Sequence, residues 1–343
     1  MFQQQKGRCG MKLAILGTGF IVREGALPAL REVPEIEVTS IFARAKSIAK
    51  AEALATQYSV PKVYTDYDEL LEKDEADFVY VGLTNSVHYE YAKKALLAGK
   101  NVIMEKPFAS TVEEVRELID LALEKHLYVF EAVTILHVPN FHEIKRLLPK
   151  LGNICAVMAN YSQYSSRYDR YLKQEVLPAF DPELSGGSLY DINIYNLNFI
   201  VGLFGAPEKV SYHPRIGFNG IDTSGTLILT YPGFTATALG AKDSESPCFI
   251  TVQGEKGWLR VSEAPNELKA FEVAFHGERI TSRYTLNRYP HRMVHEFLEF
   301  AEMYRNQDYE AMKAGLDTSL KVMETAEKAR KGAGIVFGCD KRQ

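Results

Sequence analysis

Cysteine is scarce and scattered: the four in 343 residues, Cys9, Cys155, Cys248 and Cys339, include no CxxC pair, so neither a zinc ribbon nor a disulfide framework is indicated. Neither sign of charge dominates. Lys plus Arg number 40 and Asp plus Glu 44, a net charge of -4, which supplies no field to gather phosphate backbones or anionic lipid and speaks against a nucleic-acid or membrane partner. No apolar run approaches the roughly 20 residues of a membrane helix. The opening MFQQQKGRCG lacks the apolar stretch of a secretory signal, so a soluble, cytoplasmic protein is expected. The rest is ordinary: 46% hydrophobic and 24% charged residues, the composition of a globular chain long enough for about two domains.

Residues 1–10 read as a leader outside the fold, disordered or artefactual, because Met11 opens a strand-like run that ends at Gly17. From there, short continuous apolar runs alternate with helical patterns: 13–16, 37–42, 78–83, 101–104 and 128–130 as strands, with helices between them. That alternation signals a parallel sheet covered on both faces, a doubly wound α/β domain over 11–134. Beyond about residue 150 strands follow one another directly (157–164, 226–231, 234–239, 249–253, 258–261), separated by Gly, Pro and Ser. This is an antiparallel α+β pattern, interrupted by a helix over 187–203 and closed by helices over 291–304 and 310–331, so a second domain spans 135–337.

The first strand ends in Gly17-Thr18-Gly19-Phe20-Ile21-Val22 and runs into a helix, the context of a dinucleotide-binding turn. One glycine permits the tight turn, and the next lets pyrophosphate approach backbone N–H groups at a helix N-terminus. Val22 departs from the small residue usual at the third position. No acid stands at the end of the second strand to bind the ribose of NAD; Arg44 stands there, with Lys46 nearby. A guanidinium can pair with a 2'-phosphate or stack on adenine, and the balance leans to NADP over NAD. Asn85, Glu105 and Lys106 fall at later strand ends, where open α/β sheets bind ligands. Pro107 keeps Lys106 out of the helical conformation. Asp191 and Tyr195, four apart in a helical segment, share one face. A tyrosine, with an ordinary pKa near 10, moves protons near neutrality only with a cation beside it.

The run 77–108, DFVYVGLTNSVHYEYAKKALLAGKNVIMEKPF, the Gly186-Gly187 to Tyr195 segment and the closing helices resemble the glucose-fructose oxidoreductase/inositol dehydrogenase/rhizopine-catabolism (Gfo/Idh/MocA) family over nearly the whole chain after Met11. The resemblance implies a Rossmann domain followed by a domain with a large, mostly antiparallel open sheet, one face of which forms a homodimer interface. It implies a nicotinamide-dependent enzyme acting on a sugar, cyclitol or similar polyol. Gly17 to Ile21, Arg44, Thr84, Asn85, His88, Glu105 and Lys106 would face the cofactor, with His88 either near the nicotinamide ribose or capping the following helix. Lys106, Asp191 and Tyr195 would carry the chemistry, the proton passing through Tyr195 or Lys106.

The tyrosines 161, 164, 168 and 171 around Arg167 suggest a wall for a polyol, Tyr164 and Arg167 being its substrate-facing members. His291 and His295 have the i, i+4 spacing of a metal pair, but Arg292 follows the first where a zinc protease motif would have Glu, and no metal is expected. Two other functions fit the same residues: a dinucleotide-sensing regulator without turnover, and an NAD-dependent glycoside hydrolase.

Overall fold

The computed structural model describes residues 10–342; the leader expected over 1–10 lies, apart from Gly10, outside them. Six strands, β1 (Met11–Leu16), β2 (Ile36–Phe42), β3 (Lys62–Tyr64), β4 (Phe78–Val81), β5 (Asn101–Glu105) and β6 (Val129–Ala132), form a wholly parallel sheet in the order β3-β2-β1-β4-β5-β6. Its central strands are buried end to end, as parallel strands covered on both faces must be. The order reverses between β1 and β4, so the crevice at their carboxyl ends is the expected ligand position.

Two helices that cover the parallel sheet begin at side-chain caps. Thr111 and Glu114 form a reciprocal capping box for Val112–Glu124, and the Asp66 carboxylate accepts from the N–H groups of Asp68 (2.8 Å) and Glu69 (3.1 Å) to start Tyr67–Lys73.

Eight strands make the second sheet: β7 (Ile154–Ser162), β8 (Lys209–Ile216), β9 (Asp222–Tyr231), β10 (Phe234–Ala241), β11 (Phe249–Gly254), β12 (Gly257–Val261), β13 (Phe271–Phe275) and β14 (Ser282–Tyr284), ordered β14-β13-β12-β11-β7-β10-β9-β8. All pairs are antiparallel except β7 with β10. On β9 and β10 the inward residues Leu227, Leu229, Ala236 and Ala238 are fully buried and alternate with half-exposed ones. One face is therefore covered and the other stays partly open. The cover is the segment Leu189–Phe204, a π-helical first turn followed by an α-helix from Ile194 whose first eight residues are all buried. The buried residues are mostly apolar, and the amides of the buried Asn196 and Asn198 donate to Leu239 O (3.0 Å) and Ile194 O (2.9 Å).

The closing helices do not belong to the second domain alone. Phe297 and Phe300 on Met293–Arg305 pack on Tyr80 and Phe130 of the parallel sheet, and Tyr304 meets Phe78 edge-on at 4.9 Å. Helix Tyr309–Gly332 contacts β6 and Val112–Glu124 as well as β8 and the central helix. The chain thus returns to cover the first sheet, which ties the two lobes together. Among the described residues no helix is long and apolar enough to cross a membrane.

Candidate active site

A cleft of about 1470 Å³ opens at the carboxyl ends of the parallel strands and continues between the lobes. Single-ligand pockets measure roughly 300–1,000 Å³, so this one has room for a dinucleotide and a small second molecule. Another depression, of about 810 Å³, lies on the helices away from the strand ends and is lined by charges already paired, Lys93 with Glu117 and Lys331 with Glu327.

The dinucleotide end is made mostly of backbone. Thr18, Phe20 and Ile21 line it together with two glycines that serve different ends. Gly17 has φ +108°, and a β-carbon there would lie 2.7 Å from the carbonyl oxygen of Gly82, so only glycine fits the turn. A β-carbon on Gly19 would meet nothing within 4 Å: the main chain is bare towards the cleft, as close approach of a pyrophosphate requires. The departure at Val22 is accommodated from across the sheet. A β-carbon at Gly82, just past β4, would sit 2.7 Å from Val22 Cγ2, so the small residue has moved from the helix to the neighbouring strand end. Arg44 lines the cleft, exposed, with Ser47 beside it; Lys46 does not reach it.

Thr84, Asn85, Glu105 and Lys106 also face the cleft. Asn85 spends its amide on Ser185 O across the lobes at 2.9 Å. Glu105 accepts from Tyr80 Oη at 2.5 Å and from the Lys106 N–H at 3.2 Å, and burial raises its pKa. His88 corrects the reading from sequence, because its ring is wholly buried and does not border the cleft. Its two nitrogens face Pro107 O (2.9 Å) and Leu83 O (3.2 Å). Burial lowers its pKa, and the neutral ring donates to one of these carbonyls at a time, held between the strand-end loops and away from the cleft.

Lys106, on a cis Lys106–Pro107 peptide, reaches the second lobe. Its ammonium donates to Asp191 O at 2.7 Å and Asp191 Oδ1 at 3.3 Å, and stands 4.7 Å above the Tyr195 ring. Burial pulls its pKa down, but Tyr195, Asp191 and Glu105 outweigh this and raise it. Tyr195 behaves otherwise than expected: Lys106 and Arg292 pull its pKa down, yet burial prevails and it stays above its ordinary value. The phenol is therefore neutral at pH 7, a proton donor beside a fixed cation.

Two residues of this wall escaped the sequence reading. Lys242 closes on Asp191 Oδ2 from behind, and Arg292 lines the cleft while donating to Glu267 at 2.8 Å. Only part of the aromatic wall is present. Tyr161 and Arg167 line the cleft, whereas Tyr168 and Tyr171 are buried against Phe180, and Tyr164 points to Asp169 (2.6 Å) outside it. Tyr164 is thus not a substrate-facing residue here, because the chain turns into the short helix Tyr168–Leu172 and the tyrosines diverge. His295 is taken up by packing on Tyr289, its ring 5.4 Å from the phenol ring, and by the Tyr289 N–H at 3.4 Å.

A parallel sheet with a bare glycine turn at its switch point and a lysine at a neighbouring strand end, facing a carboxylate and a tyrosine on the central helical segment of a second lobe, defines a two-lobed nicotinamide-dependent oxidoreductase. The chain belongs to the Gfo/Idh/MocA family: residues 11–133 match the oxidoreductase family with an NAD-binding Rossmann fold, and residues 141–260 match the Gfo/Idh/MocA C-terminal domain. It is 33% identical over 330 residues to the scyllo-inositol 2-dehydrogenase (NADP(+)) IolU of Bacillus subtilis, covering 96% of this chain and 99% of that one. It is 27% identical over 352 residues to the trans-1,2-dihydrobenzene-1,2-diol dehydrogenase of the mouse, covering 97% and 99%. In fold it matches a 3-ketoreductase of Actinomadura kijaniata solved with NADP and TDP-benzene, with a TM-score of 0.81 at 22% identity over 94% of this chain and 98% of that one.

Proposed function

We propose that this protein transfers hydride between NADP and a ring carbinol carbon of a neutral polyol, a cyclitol or sugar. The observation that carries the reading is the convergence, in one cleft with the glycine turn, of Lys106 Nζ, the Asp191 carboxylate 3.3 Å away and the Tyr195 ring 4.7 Å away. Similarity to an NADP-dependent inositol dehydrogenase and to a diol dehydrogenase supports the substrate class.

Gly17 to Ile21 would hold the pyrophosphate of a bound dinucleotide, whose nicotinamide would supply or accept the hydride. The chain's own side chains manage the oxygen and its proton. Lys106 places a positive charge where negative charge develops on the carbinol oxygen, the kind of preorganised stabilisation that dominates many active sites. Tyr195, neutral and beside that charge, gives the oxygen its proton in reduction and takes it back in oxidation. Asp191 orients the lysine towards that oxygen. Arg44 would pair with the 2'-phosphate, and the half-open face of the second sheet, with Met158, Ile228 and Leu239 on it, is where a second copy would dock to make a homodimer.

A screen of inositols, sugars and keto-sugars with both cofactors, followed at the nicotinamide absorbance, tests this reading. Turnover of a cyclitol or sugar with preference for NADP is expected. Cofactor binding with no turnover of any of them overturns it in favour of a sensor, and release of the leaving group from an aryl glycoside without net reduction overturns it in favour of a hydrolase.

A further inference from the structure

The Asp191 carboxylate is gripped from two sides. Its Oδ1 faces Lys106 at 3.3 Å and its Oδ2 receives the ammonium of Lys242. The two lysines are not equivalent. Lys106 lines the cleft and also holds Asp191 through the main-chain oxygen at 2.7 Å. Lys242 does not line it: the residue is 3% exposed and directly follows β10. Its ammonium also donates to Ala179 O at 3.1 Å and lies 4.6 Å over the Phe180 ring, while its main-chain N–H is fixed on Thr223 O at 2.9 Å. A buried ammonium is tolerated only when paired and hydrogen-bonded, and these contacts hold Lys242 in one place with Asp191 as its counter-ion.

We propose that Lys242 is the standing counter-ion of Asp191, a positioning residue that keeps the carboxylate charged and oriented so that Lys106 is free to leave it for the substrate oxygen. The assignment rests on the reading of Lys106, Asp191 and Tyr195 given above. With Lys106 as sole partner, every departure of the lysine towards substrate would strand a carboxylate in the cleft, and the pair would resist opening. A second ammonium removes that resistance, because Asp191 remains paired whichever way Lys106 moves.

The surrounding charges agree. Burial pushes the Asp191 carboxyl up, but Lys242 first and Lys106 second hold it well below the usual carboxylate range. With 37% of its side chain open to the cleft, its desolvation is partial and the two ammoniums decide the direction. Burial pulls the Lys242 pKa down and Asp191 pulls it back, with Lys106 and Arg167 opposing. The other titratable groups around the pair are Tyr161 on β7, Tyr195 on the central helix and Asp222 at the start of β9. Asp222 is already engaged by Tyr212 Oη at 2.7 Å and the Leu189 N–H at 2.6 Å.

The test replaces Lys242 by Gln, which keeps a neutral donor for Ala179, and separately by Met, so that one unstable variant does not decide the matter. Asp191 is titrated without substrate as the infrared carboxyl band that disappears when Asp191→Asn is added to each background. Removing one opposite charge should raise the midpoint by at least ~1 pH unit. The acid limb of kcat/KM should move up with it, and kcat should fall roughly 10- to 100-fold, the scale of a misplaced catalytic group, with dinucleotide Kd within about twofold of the wild type. An Asp191 that titrates at the same pH with and without Lys242 overturns the proposal. So does a loss of kcat with an unmoved acid limb, the mark of a merely structural lysine. If the substrate screen finds nothing, the proposed activity fails on its own, and the infrared titration still decides the role of Lys242.

Discussion

The dinucleotide wall of the cleft and the wall facing it are made of different materials. The first is backbone, Gly17 with its positive φ and a bare Gly19, with the exposed cation of Arg44 beside them. The second is a web of charges, with Asp191 between Lys106 and Lys242, and Arg292 between Glu267 and the cleft. A backbone wall binds by shape and by N–H groups that cannot be mutated away, so its side chains tune affinity. A charged wall acts through fields that change as the reaction proceeds, so its side chains tune rate. The two walls should therefore fail differently when altered.

The largest expected effect lies on the charged wall. Lys106→Met should lower kcat by roughly two to three orders of magnitude, the scale of one lost preorganised electrostatic group, and Tyr195→Phe by about 10²-fold to 10⁴-fold. Cofactor Kd should barely move in either. Because burial holds the Tyr195 pKa above 10.0, its protonated form is the active donor below that value. Activity in the reducing direction should be lost only as pH rises through the raised pKa, a limb that Tyr195→Phe abolishes. The losses should be strongly non-additive, since Lys106 acts partly by lowering the tyrosine's pKa. A double variant whose loss equals the product of the single ones would show two independent groups, and full activity in Tyr195→Phe would move proton transfer to Lys106.

The same contrast explains what the sequence disclosed. The backbone wall is written contiguously, strand then glycines then helix, and Glu105-Lys106-Pro107 lies in one run, so both were legible. The charged wall is assembled across the chain. Lys242 lies 51 residues from Asp191, and nothing local separates a lysine that ends a strand buried from one that ends it in water. Tyr164 shows the opposite: it lies close to Arg167 in sequence, yet after β7 it turns to Asp169 while Arg167 lines the cleft. In the second sheet β7 and β9 to β12 were evident as short runs set off by Gly, Pro and Ser, while β8 was hidden by Pro214, which is tolerated because β8 is an edge strand.

On the backbone wall the expected effects are smaller and fall on affinity. If Arg44 pairs with a 2'-phosphate, Arg44→Ala should weaken NADP binding by about 1.5 to 3 kcal/mol, the range for hydrogen bonds to charged groups, with NAD binding and kcat unchanged. Fluorescence titration with each dinucleotide measures this directly. Equal losses for both would reduce Arg44 to a stack on adenine, and a fall in kcat would blur the division between the walls.

The smallest effect probes how the glycine turn is seated. Gly82 has an ordinary backbone conformation, so Gly82→Ala adds a methyl without strain in φ; what it meets is Val22 Cγ2 at 2.7 Å, a Tyr80 ring carbon at 2.8 Å and Leu16 O at 3.3 Å. All three neighbours are fully buried, and overpacking of this kind costs about 1–3 kcal/mol. Val22→Ala alone should cost about 2 kcal/mol, two buried carbons at roughly 0.8 kcal/mol each plus the cavity they leave. If Val22 and Gly82 divide one allowance of space, the alanine pair should be less destabilised than the sum of the singles by about 1 kcal/mol, within the range seen for residues in contact. The rescue stays partial because the Tyr80 contact remains. Urea melts of the four proteins in the cycle measure the coupling. Strict additivity would mean that Tyr80 alone sets the limit at Gly82, and that Val22 found its room in some other way.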